Sequence, residues 1–338
     1  MSTALSTPKE PTMSTTFVFL PPGGEQQQNW AERIGAAVPD IDLVVCTSRQ
    51  EALAALPTAR GAFGFIDAEL LAAATQLEWL ACPAAGPNPS FYFPELIASS
   101  VTVTNTRGIY NDHISAHIMA FVMAFARGMH HYLPQQFSGI WQKGIGAGVG
   151  ALLPTHLPDA TALIIGVGGI GGATAQHCSH FGMRVIGIDP RCPEPPDGVD
   201  ELYRPADLDA HLGSADFVII TAPQTPQTEG FMNLERLRRM KNTAVLINIG
   251  RGITVKLDDL DQALRQGIIG GAALDVFEIE PLPENHPLWQ APNFLMTPHV
   301  AGEGPYLEDR RVDLLIENCR RLVVGEELMN RVDKENWF

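Results

Sequence analysis

The sequence predicts an α/β protein with two doubly wound parallel sheets, each covered by helices, and a cleft between the two domains. Short apolar runs alternate with helix-like segments in two separate stretches of the chain, and a long apolar segment lies between them. Such alternation is typical of parallel sheets, because parallel strands are joined by crossover connections that are usually helical. The length of 338 residues also fits two domains.

The first alternation begins at Phe17. Its apolar runs predict strands at 17–20, 43–46, 62–66, 77–81 and 101–105. The segments between these runs predict helices at 30–37, 51–56, 68–74 and 93–98. Strands and helices in this order indicate one open parallel sheet with helices on both faces.

The middle of the chain has a different pattern. The apolar segment 117–129 predicts one buried helix, long enough to cross between domains. Glycines and prolines then recur over 132–158, which predicts a loop or arm rather than a regular element. At the other end, the polar segment 1–16 lacks the apolar stretch of a signal peptide, and we expect it to be a disordered leader.

The second alternation predicts strands at 162–165, 184–188, 217–221, 244–248, 272–276 and 294–297. Helices are predicted at 169–181, 234–240 and 257–266. Six strands with helices between them are what two mononucleotide-binding halves require. The helical periodicity of 307–323 predicts a segment that folds back on the first domain, which makes that domain discontinuous.

Charge and cysteine content exclude several classes of protein. Lys and Arg number 23 against 38 Asp and Glu, so the net charge is −15. Such a surface repels nucleic acids and anionic membranes, so we expect neither as a partner. No apolar run is long enough to span a membrane. The five cysteines form no C-x-x-C pair, which argues against a disulfide scaffold or a metal site and favours reduced thiols in the cytoplasm.

A glycine-rich motif, G-V-G-G-I-G at 166–171, follows a predicted strand and begins a predicted helix. In that context Gly166 permits the tight turn, Gly168 lets the backbone approach a pyrophosphate, and Gly171 lets the helix pack closely on the strand. The motif alone is weak evidence, because glycine-rich turns without a nucleotide are common.

A carboxylate at the end of the next predicted strand strengthens the prediction of a dinucleotide site. Asp189 is placed to accept hydrogen bonds from a ribose hydroxyl, although a strand-end Asp also commonly caps a turn. It favours NAD over NADP, because it would repel a 2′-phosphate, and Arg191 would offset that repulsion only in part. The sequence therefore predicts a Rossmann-like domain that binds NAD.

Three polar segments, 248–252, 275–281 and 297–302, follow predicted strands, where open α/β sheets bind ligands. Arg251 suits a substrate carboxylate, because its guanidinium can form two parallel hydrogen bonds. His299 suits acid/base chemistry near neutral pH. Glu280, if it reaches the imidazole, would orient the ring and favour its charged form. Taken singly, each of the three is more often a structural or solvated residue.

With these motifs in place, the sequence resembles the D-isomer-specific 2-hydroxyacid dehydrogenase family. The resemblance is close over about 160–302, and it rests on the stretches 164–171, 225–233, 240–252, 270–283, 286–289 and 293–302. It implies that Arg251 holds the substrate, that His299 is the acid/base with Glu280 as its partner, and that Asp275 contacts the nicotinamide end of the cofactor. The full set of implied cofactor contacts is Gly166, Gly168, Gly169, Ile170, Gly171, Asp189, Pro223, Ile249, Arg251, Asp275, His299 and Gly302.

The resemblance also implies an organisation. We expect a flavodoxin-like substrate domain formed by 17–112 and 303–338, and a Rossmann domain for NAD over 113–302. Members of the family are usually homodimers joined through the nucleotide domain, with active sites in the interdomain cleft. The glycine-rich arm at 139–150 is a candidate for the dimer contact.

The first domain departs from the family in ways that leave the substrate open. Family members carry a glycine-rich loop that binds the substrate carboxylate with backbone N–H groups, and here 83–89 contains three prolines. Ala85 and Gly86 are the expected donors, alongside Arg251 and His299. Ala116 stands where the family often has Glu. The aromatic run 91–93 is interpreted as core packing in preference to a pocket wall.

The predicted function is an NAD-dependent oxidoreductase that transfers a hydride between nicotinamide and C2 of a small D-2-hydroxy acid or 2-keto acid, such as glyoxylate, hydroxypyruvate or pyruvate. Formate dehydrogenase is disfavoured, because those enzymes pair the histidine with Gln and Glu280 stands here. Phosphoglycerate dehydrogenase is disfavoured, because no regulatory domain is expected after residue 302. The alternative of a different class is an NAD-sensing binding protein, like the corepressors that share this scaffold.

Overall fold

The computed structural model describes residues 15–144 and 153–337. The chain divides into two compact units, each described here by itself. One, the central unit, is Gly108–Pro305, and the other, the terminal unit, joins the chain up to Arg107 with the chain from Tyr306. These boundaries lie a few residues from the predicted ones, and the assignment of a function to each unit stays a prediction.

The terminal unit begins with a five-stranded parallel sheet whose order is β2-β1-β3-β4-β5. Its strands are β1 (Thr15–Phe19), β2 (Ile41–Val45), β3 (Ala59–Phe63), β4 (Trp79–Ala81) and β5 (Thr102–Thr104). The helices between them are α1 (Glu25–Ala37), α2 (Arg49–Ala55), α3 (Ala68–Ala73) and α4 (Pro94–Ala98). This is the flavodoxin-like strand order, as predicted.

The central unit contains a seven-stranded parallel sheet with the order β12-β11-β10-β9-β6-β7-β8. Its helices are α5 (Asn111–Ala126), α6 (Met129–Phe137), α7 (Gly169–His180), α8 (Leu208–His211), α9 (Leu234–Leu237) and α10 (Leu257–Arg265). Its strands are β6 (Thr161–Ile165), β7 (Arg184–Ile188), β8 (Glu201–Tyr203), β9 (Phe217–Ile220), β10 (Val245–Asn248), β11 (Gly271–Leu274) and β12 (Phe294–Met296). The strand order reverses between β6 and β9, and doubly wound sheets bind ligands at such a switch point.

The last helix of the chain, α11 (Leu307–Val324), returns to the terminal unit and packs beside α1. Its buried residues Val312, Leu315, Cys319 and Leu322 recur at helical spacing on one face. They join a core that also contains Phe17 and Trp79. The predicted return of 307–323 to the first domain is therefore confirmed.

Both faces of each sheet are covered by apolar side chains. In β1, Phe17 and Phe19 belong to one core of the terminal unit, while Val18 belongs to the other. Consecutive side chains of a strand point to opposite faces, so a strand buried on both sides is apolar throughout. The same is true of β6, where Leu163 and Ile164 belong to different cores of the central unit. This burial explains why short, unbroken apolar runs predicted the central strands.

The sequence analysis predicted six strands in the second alternation, but the sheet has seven because β8 was missed. All three residues of β8 are half-buried, and the strand lies at the edge of the sheet beside β7. Its sequence, Glu-Leu-Tyr, has no apolar run because only part of an edge strand is covered. Glu201 instead bonds to Arg184 and to the Tyr203 hydroxyl.

Two predictions about the middle of the chain are wrong in part. The apolar segment forms α5, which ends at Ala126, and Gly128 at φ 69° separates it from α6. The predicted arm begins too early, because 132–137 lies in α6 despite a proline at position 134. The glycines and prolines on which the predicted arm rests begin at Gly139, after the last residue of α6. Residues 145–152 of the predicted arm lie outside the described residues.

The predicted leader is also too long. Thr15 and Thr16 belong to β1, and Thr15 is only 3% exposed. The rest of the predicted leader, residues 1–14, lies outside the described residues. No helix among the described residues is long and apolar enough to cross a membrane.

Candidate active site

The glycine-rich turn between β6 and α7 has the geometry that its sequence predicts. Gly166 has φ 92°, a conformation that L side chains rarely adopt. A Cβ atom on Gly171 would lie 1.9 Å from the carbonyl oxygen of Gly166, so only glycine lets the helix approach this closely. A Cβ atom on Gly168, by contrast, would meet no atom within 4 Å. The space beside Gly168, at the N-terminus of α7, is therefore open, and this fits the pyrophosphate of a dinucleotide.

Asp189, directly after β7, is 8% exposed and connects two loops. Its Oδ2 accepts a hydrogen bond of 3.0 Å from the Val167 N–H in the glycine-rich turn. Its Oδ1 accepts from the N–H groups of Arg191 at 2.8 Å and Cys192 at 2.9 Å. A carboxylate has about four acceptor positions, so it has room for one further donor such as a ribose hydroxyl.

The loop after β10 is shaped by Asn248, which is fully buried. Its Oδ1 accepts from the Gly250 N–H and its Nδ2 donates to the Arg251 carbonyl, each at 3.1 Å. A Cβ atom on Gly252 would lie 1.9 Å from the Phe277 carbonyl, so the loop after β10 packs directly on the loop after β11. Asn248 begins one of the polar segments that follow predicted strands, but no local pattern predicts these hydrogen bonds.

Glu280 and His299 come together although they follow different strands. Glu280 Oε2 lies 2.7 Å from His299 Nδ1, and Glu280 Oε1 accepts from the Phe277 N–H at 2.9 Å. The backbone therefore fixes the carboxylate, and the carboxylate fixes the ring. The His299 side chain is 52% exposed, so the imidazole can exchange a proton with a ligand or with solvent.

The backbone of His299 has φ 56°, in the left-handed region that residues other than glycine rarely occupy. Backbone conformations of this kind persist where the surroundings hold them, and they cluster at functional sites. The surroundings here are the bonds of Asp275, which is 1% exposed. Its Oδ1 accepts from the Thr297 hydroxyl at 2.6 Å and the Val300 N–H at 2.9 Å, and its Oδ2 accepts from the Ala301 N–H at 3.0 Å.

These bonds connect the loops after β10, β11 and β12, which are neighbouring strands. Gly252 packs on Phe277, the Phe277 N–H binds Glu280, and Glu280 binds His299. Arg251 follows β10 in the first of these loops, and its Nη1 donates to the Gly250 carbonyl at 2.6 Å. The residues predicted to carry the chemistry, Arg251, Glu280 and His299, therefore lie on contiguous loops at the carboxyl edge of one sheet.

A cavity of about 370 Å³ lies beside the Glu280–His299 pair within the central unit. Its apolar lining includes Phe277, Leu282, Trp289 and Met296. The side of the imidazole that faces this space is thus partly shielded from water.

The remaining predicted cofactor residues surround the glycine-rich turn and the three loops. Gly169 and Ile170 form the first residues of α7, and the Pro223 carbonyl accepts from the Thr228 hydroxyl at 2.8 Å. Ile249 is buried directly after β10, and a Cβ on Gly302 would lie 3.5 Å from the Tyr110 ring. Their contacts with a cofactor stay predictions.

The predicted substrate donors Ala85 and Gly86 belong to the terminal unit. The Ala85 carbonyl accepts from Asn105 Nδ2 at 2.8 Å, which holds the loop. Phe91 and Tyr92, which follow the loop, are buried in a core of that unit, which confirms the packing interpretation for these two rings. The binding of a carboxylate by Ala85 and Gly86 stays a prediction.

Comparison with known proteins identifies the family of the chain. Residues 119–301 match the model of the D-isomer specific 2-hydroxyacid dehydrogenase NAD binding domain. The chain is 34% identical to a glyoxylate reductase of Thermofilum pendens over 80% of its own length and 79% of the relative's. It is 32% identical to glyoxylate/hydroxypyruvate reductase B of Pectobacterium atrosepticum, over 83% of the chain and 88% of the relative.

A solved structure shows the same likeness over both units. A D-isomer specific 2-hydroxyacid dehydrogenase from Xanthobacter autotrophicus Py2, in complex with NADPH and MES, has a TM-score of 0.83 and 27% identity. The alignment covers 96% of this chain and all of that one. The predicted family, the fold and the matched domain agree, and the chain belongs to the D-isomer-specific 2-hydroxyacid dehydrogenase family.

Proposed function

We propose that the chain reduces a small 2-keto acid to the D-2-hydroxy acid with NADH, and catalyses the reverse reaction with NAD. The observation that carries this proposal is the 2.7 Å contact between Glu280 and His299. The pair lies at the carboxyl edge of the sheet whose β6–α7 turn is open at Gly168. Glyoxylate and hydroxypyruvate are the first candidate substrates, because they appear in the names of the relatives.

The proposed chemistry divides among the side chains of the central unit. Nicotinamide, when bound, supplies the hydride that adds to C2 of the keto acid. Arg251 binds the substrate carboxylate through its guanidinium and so fixes which atoms face the ring. His299 donates the proton that the carbonyl oxygen needs as C2 accepts the hydride, and takes it back in the reverse direction.

Glu280 determines how His299 performs this function. Its contact with Nδ1 places the Nδ1 proton between the two groups and leaves Nε2 for the proton transfer. A glutamine at this position would keep the contact but remove the charge.

We infer NAD rather than NADP from the charge of the ribose site. Asp189 is buried and ionisable, and a 2′-phosphate beside it would meet a like charge. The Arg204 guanidinium is held nearby by the carbonyls of Asp189 and Cys192, each at 3.0 Å, and it reduces this repulsion. The related Xanthobacter structure contains NADPH, so the two cofactors must be compared directly.

We also propose a homodimer joined through the nucleotide domain, and a cytoplasmic location. Phe137 at the end of α6 is 82% exposed, and Trp141 shortly after it is 92% exposed. Large exposed apolar side chains of this kind commonly mark a protein interface. All five cysteines are free thiols and four are buried, which suits a reducing compartment.

The experiment measures NADH and NADPH oxidation with glyoxylate, hydroxypyruvate, pyruvate and phenylpyruvate. We expect turnover with NADH on at least one of the first two, and His299→Ala should lower kcat by about 10²–10⁴. NADH binding, followed by fluorescence, should change little. The matched variant His113→Ala removes another half-buried histidine of the central unit and should retain activity.

Two outcomes would contradict the proposal. Unaltered kcat in His299→Ala would remove the assignment of the acid/base. Tight NADH binding without turnover of any acid would instead favour an NAD-sensing binding protein.

A further inference from the structure

A second histidine of the central unit, His117, is connected by hydrogen bonds to the loop that carries His299. His117 lies on α5, and its Nε2 is 2.9 Å from the Thr297 hydroxyl oxygen. That hydroxyl is in turn 2.6 Å from Asp275 Oδ1. These contacts run from α5 to the buried carboxylate that accepts the backbone N–H groups of Val300 and Ala301, the two residues after His299.

The donor and the acceptor of each of these hydrogen bonds can be assigned. Asp275 accepts N–H groups from Val300 and Ala301, and a carboxylate that accepts all its bonds has no proton to give to Thr297. The Thr297 hydroxyl therefore donates its single proton to Asp275. Its oxygen must then accept from His117, so His117 carries a proton on Nε2.

The surroundings of His117 keep its ring in place. The ring contacts Phe121 edge to face, with centroids 4.8 Å apart, one turn further along α5. Because the ring is fixed, its Nε2–H determines where the Thr297 hydroxyl points. The Thr297 hydroxyl is thus held from two sides, by the carboxylate that accepts its proton and by the His117 N–H that donates to its oxygen.

We propose that His117 is a positioning residue for the reaction: by fixing the Thr297 hydroxyl it holds Asp275, and through Asp275 the left-handed backbone of His299. This inference rests on the proposed function for its effect on rate, but the hydrogen-bond assignment does not. Thr297, Val300 and Ala301 flank His299, so their common acceptor controls the position of the imidazole. A small displacement of a catalytic group costs rate rather than cofactor affinity.

The kinetic test compares two replacements of His117. His117→Phe keeps an aromatic ring and removes the donor, and we expect kcat to fall by about tenfold, less than the hundredfold that an ångström of misplacement can cost. His117→Gln offers an amide N–H near the position of Nε2 and should recover most of that loss. KM for NADH should change little in either variant.

A double-mutant cycle with Thr297→Val tests whether His117 and Thr297 act through the same series of hydrogen bonds. If His117 acts through the hydroxyl, the double variant His117→Phe/Thr297→Val should be no slower than Thr297→Val alone. Additive losses of kcat in the double variant would overturn the proposal. Equal losses of kcat in His117→Phe and His117→Gln, accompanied by equal drops in Tm, would also overturn it, because that result indicates packing alone.

Nitrogen-15 NMR of the histidine rings gives a readout that does not depend on turnover. We expect His117 to carry its proton on Nε2 in the wild-type chain with or without NADH, and a ring protonated on Nδ1 alone would overturn the proposal. If the wild-type chain reduces no keto acid while the Nε2–H form is found, the proposed function fails and the hydrogen-bond chain stands. If turnover is normal but His117→Phe is unchanged in kcat, only the inference about His117 fails.

Discussion

Asn248 and Glu280 each bind backbone groups of their own loop, and Asp275 binds groups of the loop after β12. Asn248 binds Gly250 and Arg251, Asp275 binds the residues around His299, and Glu280 binds Phe277. These side chains therefore determine the conformations of the loops on which the chemistry depends. Removing one of them would leave buried N–H groups without acceptors and would also displace the catalytic side chains.

Gly168 and Gly171 of the glycine-rich motif make a matched pair of variants. In Gly171→Ala the new methyl group overlaps the Gly166 carbonyl, and we expect the free energy of unfolding to fall by about 1–3 kcal/mol or more. In Gly168→Ala the methyl group enters open space, so the free energy of unfolding should change by no more than about 0.5 kcal/mol.

Cofactor binding should separate the same two variants. NADH affinity should fall by about tenfold in Gly168→Ala, or about 1.4 kcal/mol, because the methyl group occupies the place of the pyrophosphate. Chemical denaturation and NADH fluorescence titration measure the two effects. Normal NADH affinity in a fully folded Gly168→Ala variant would show that the dinucleotide does not bind at this turn.

The sequence indicated some of the site and missed other parts for a physical reason. Arg251, Glu280 and His299 were predicted because each has a distinctive chemistry and follows a predicted strand. Thr297 and His117 were not, because their significance lies in contacts across 22 and 180 residues of sequence. A threonine or a histidine on a helix has no local pattern that reveals such a partner.

Among the elements, burial decided which could be predicted. Strands covered on both faces, such as β6 and β10, have four or five consecutive buried residues and were located to within a residue or two. The half-buried edge strand β8 was missed, and so was the break between α5 and α6. Gly128 lies in an apolar stretch whose pattern predicts one helix. Its left-handed conformation is required by the turn between α5 and α6, and the flanking residues do not reveal that turn.

The exposed aromatic side chains at the end of α6 lead to a prediction about assembly. The double variant Phe137→Glu/Trp141→Glu places two charges on the apolar surface, and we expect the dimer to dissociate into folded monomers. Sedimentation velocity measures the change, and circular dichroism checks that the monomer is folded. Phe65→Glu is the matched control, because Phe65 is 59% exposed in the terminal unit and should leave the dimer intact. A wild-type chain that sediments as a monomer would contradict the proposed interface.

For the whole molecule, two parallel sheets were predicted from two alternations of the same kind, and the flavodoxin-like order of the first sheet was predicted from the resemblance to the family. Each unit builds its own pair of cores, one on each face of its sheet. Arg251, Glu280 and His299 belong to the central unit, which also contains the glycine-rich turn. In a chain with a net charge of −15, an anionic substrate requires a local positive charge at the site, and Arg251 is the residue proposed to supply it.

The most direct test of this account follows the hydrogen atom that the reaction transfers. NADH carrying deuterium at both C4 positions of the nicotinamide is incubated with the wild-type chain and hydroxypyruvate or glyoxylate. The product is examined by mass spectrometry and, for hydroxypyruvate, by chiral chromatography. We predict one deuterium at C2 of the product and the D configuration. Product without deuterium, or of the L configuration, would contradict a direct hydride transfer beside the Glu280–His299 pair.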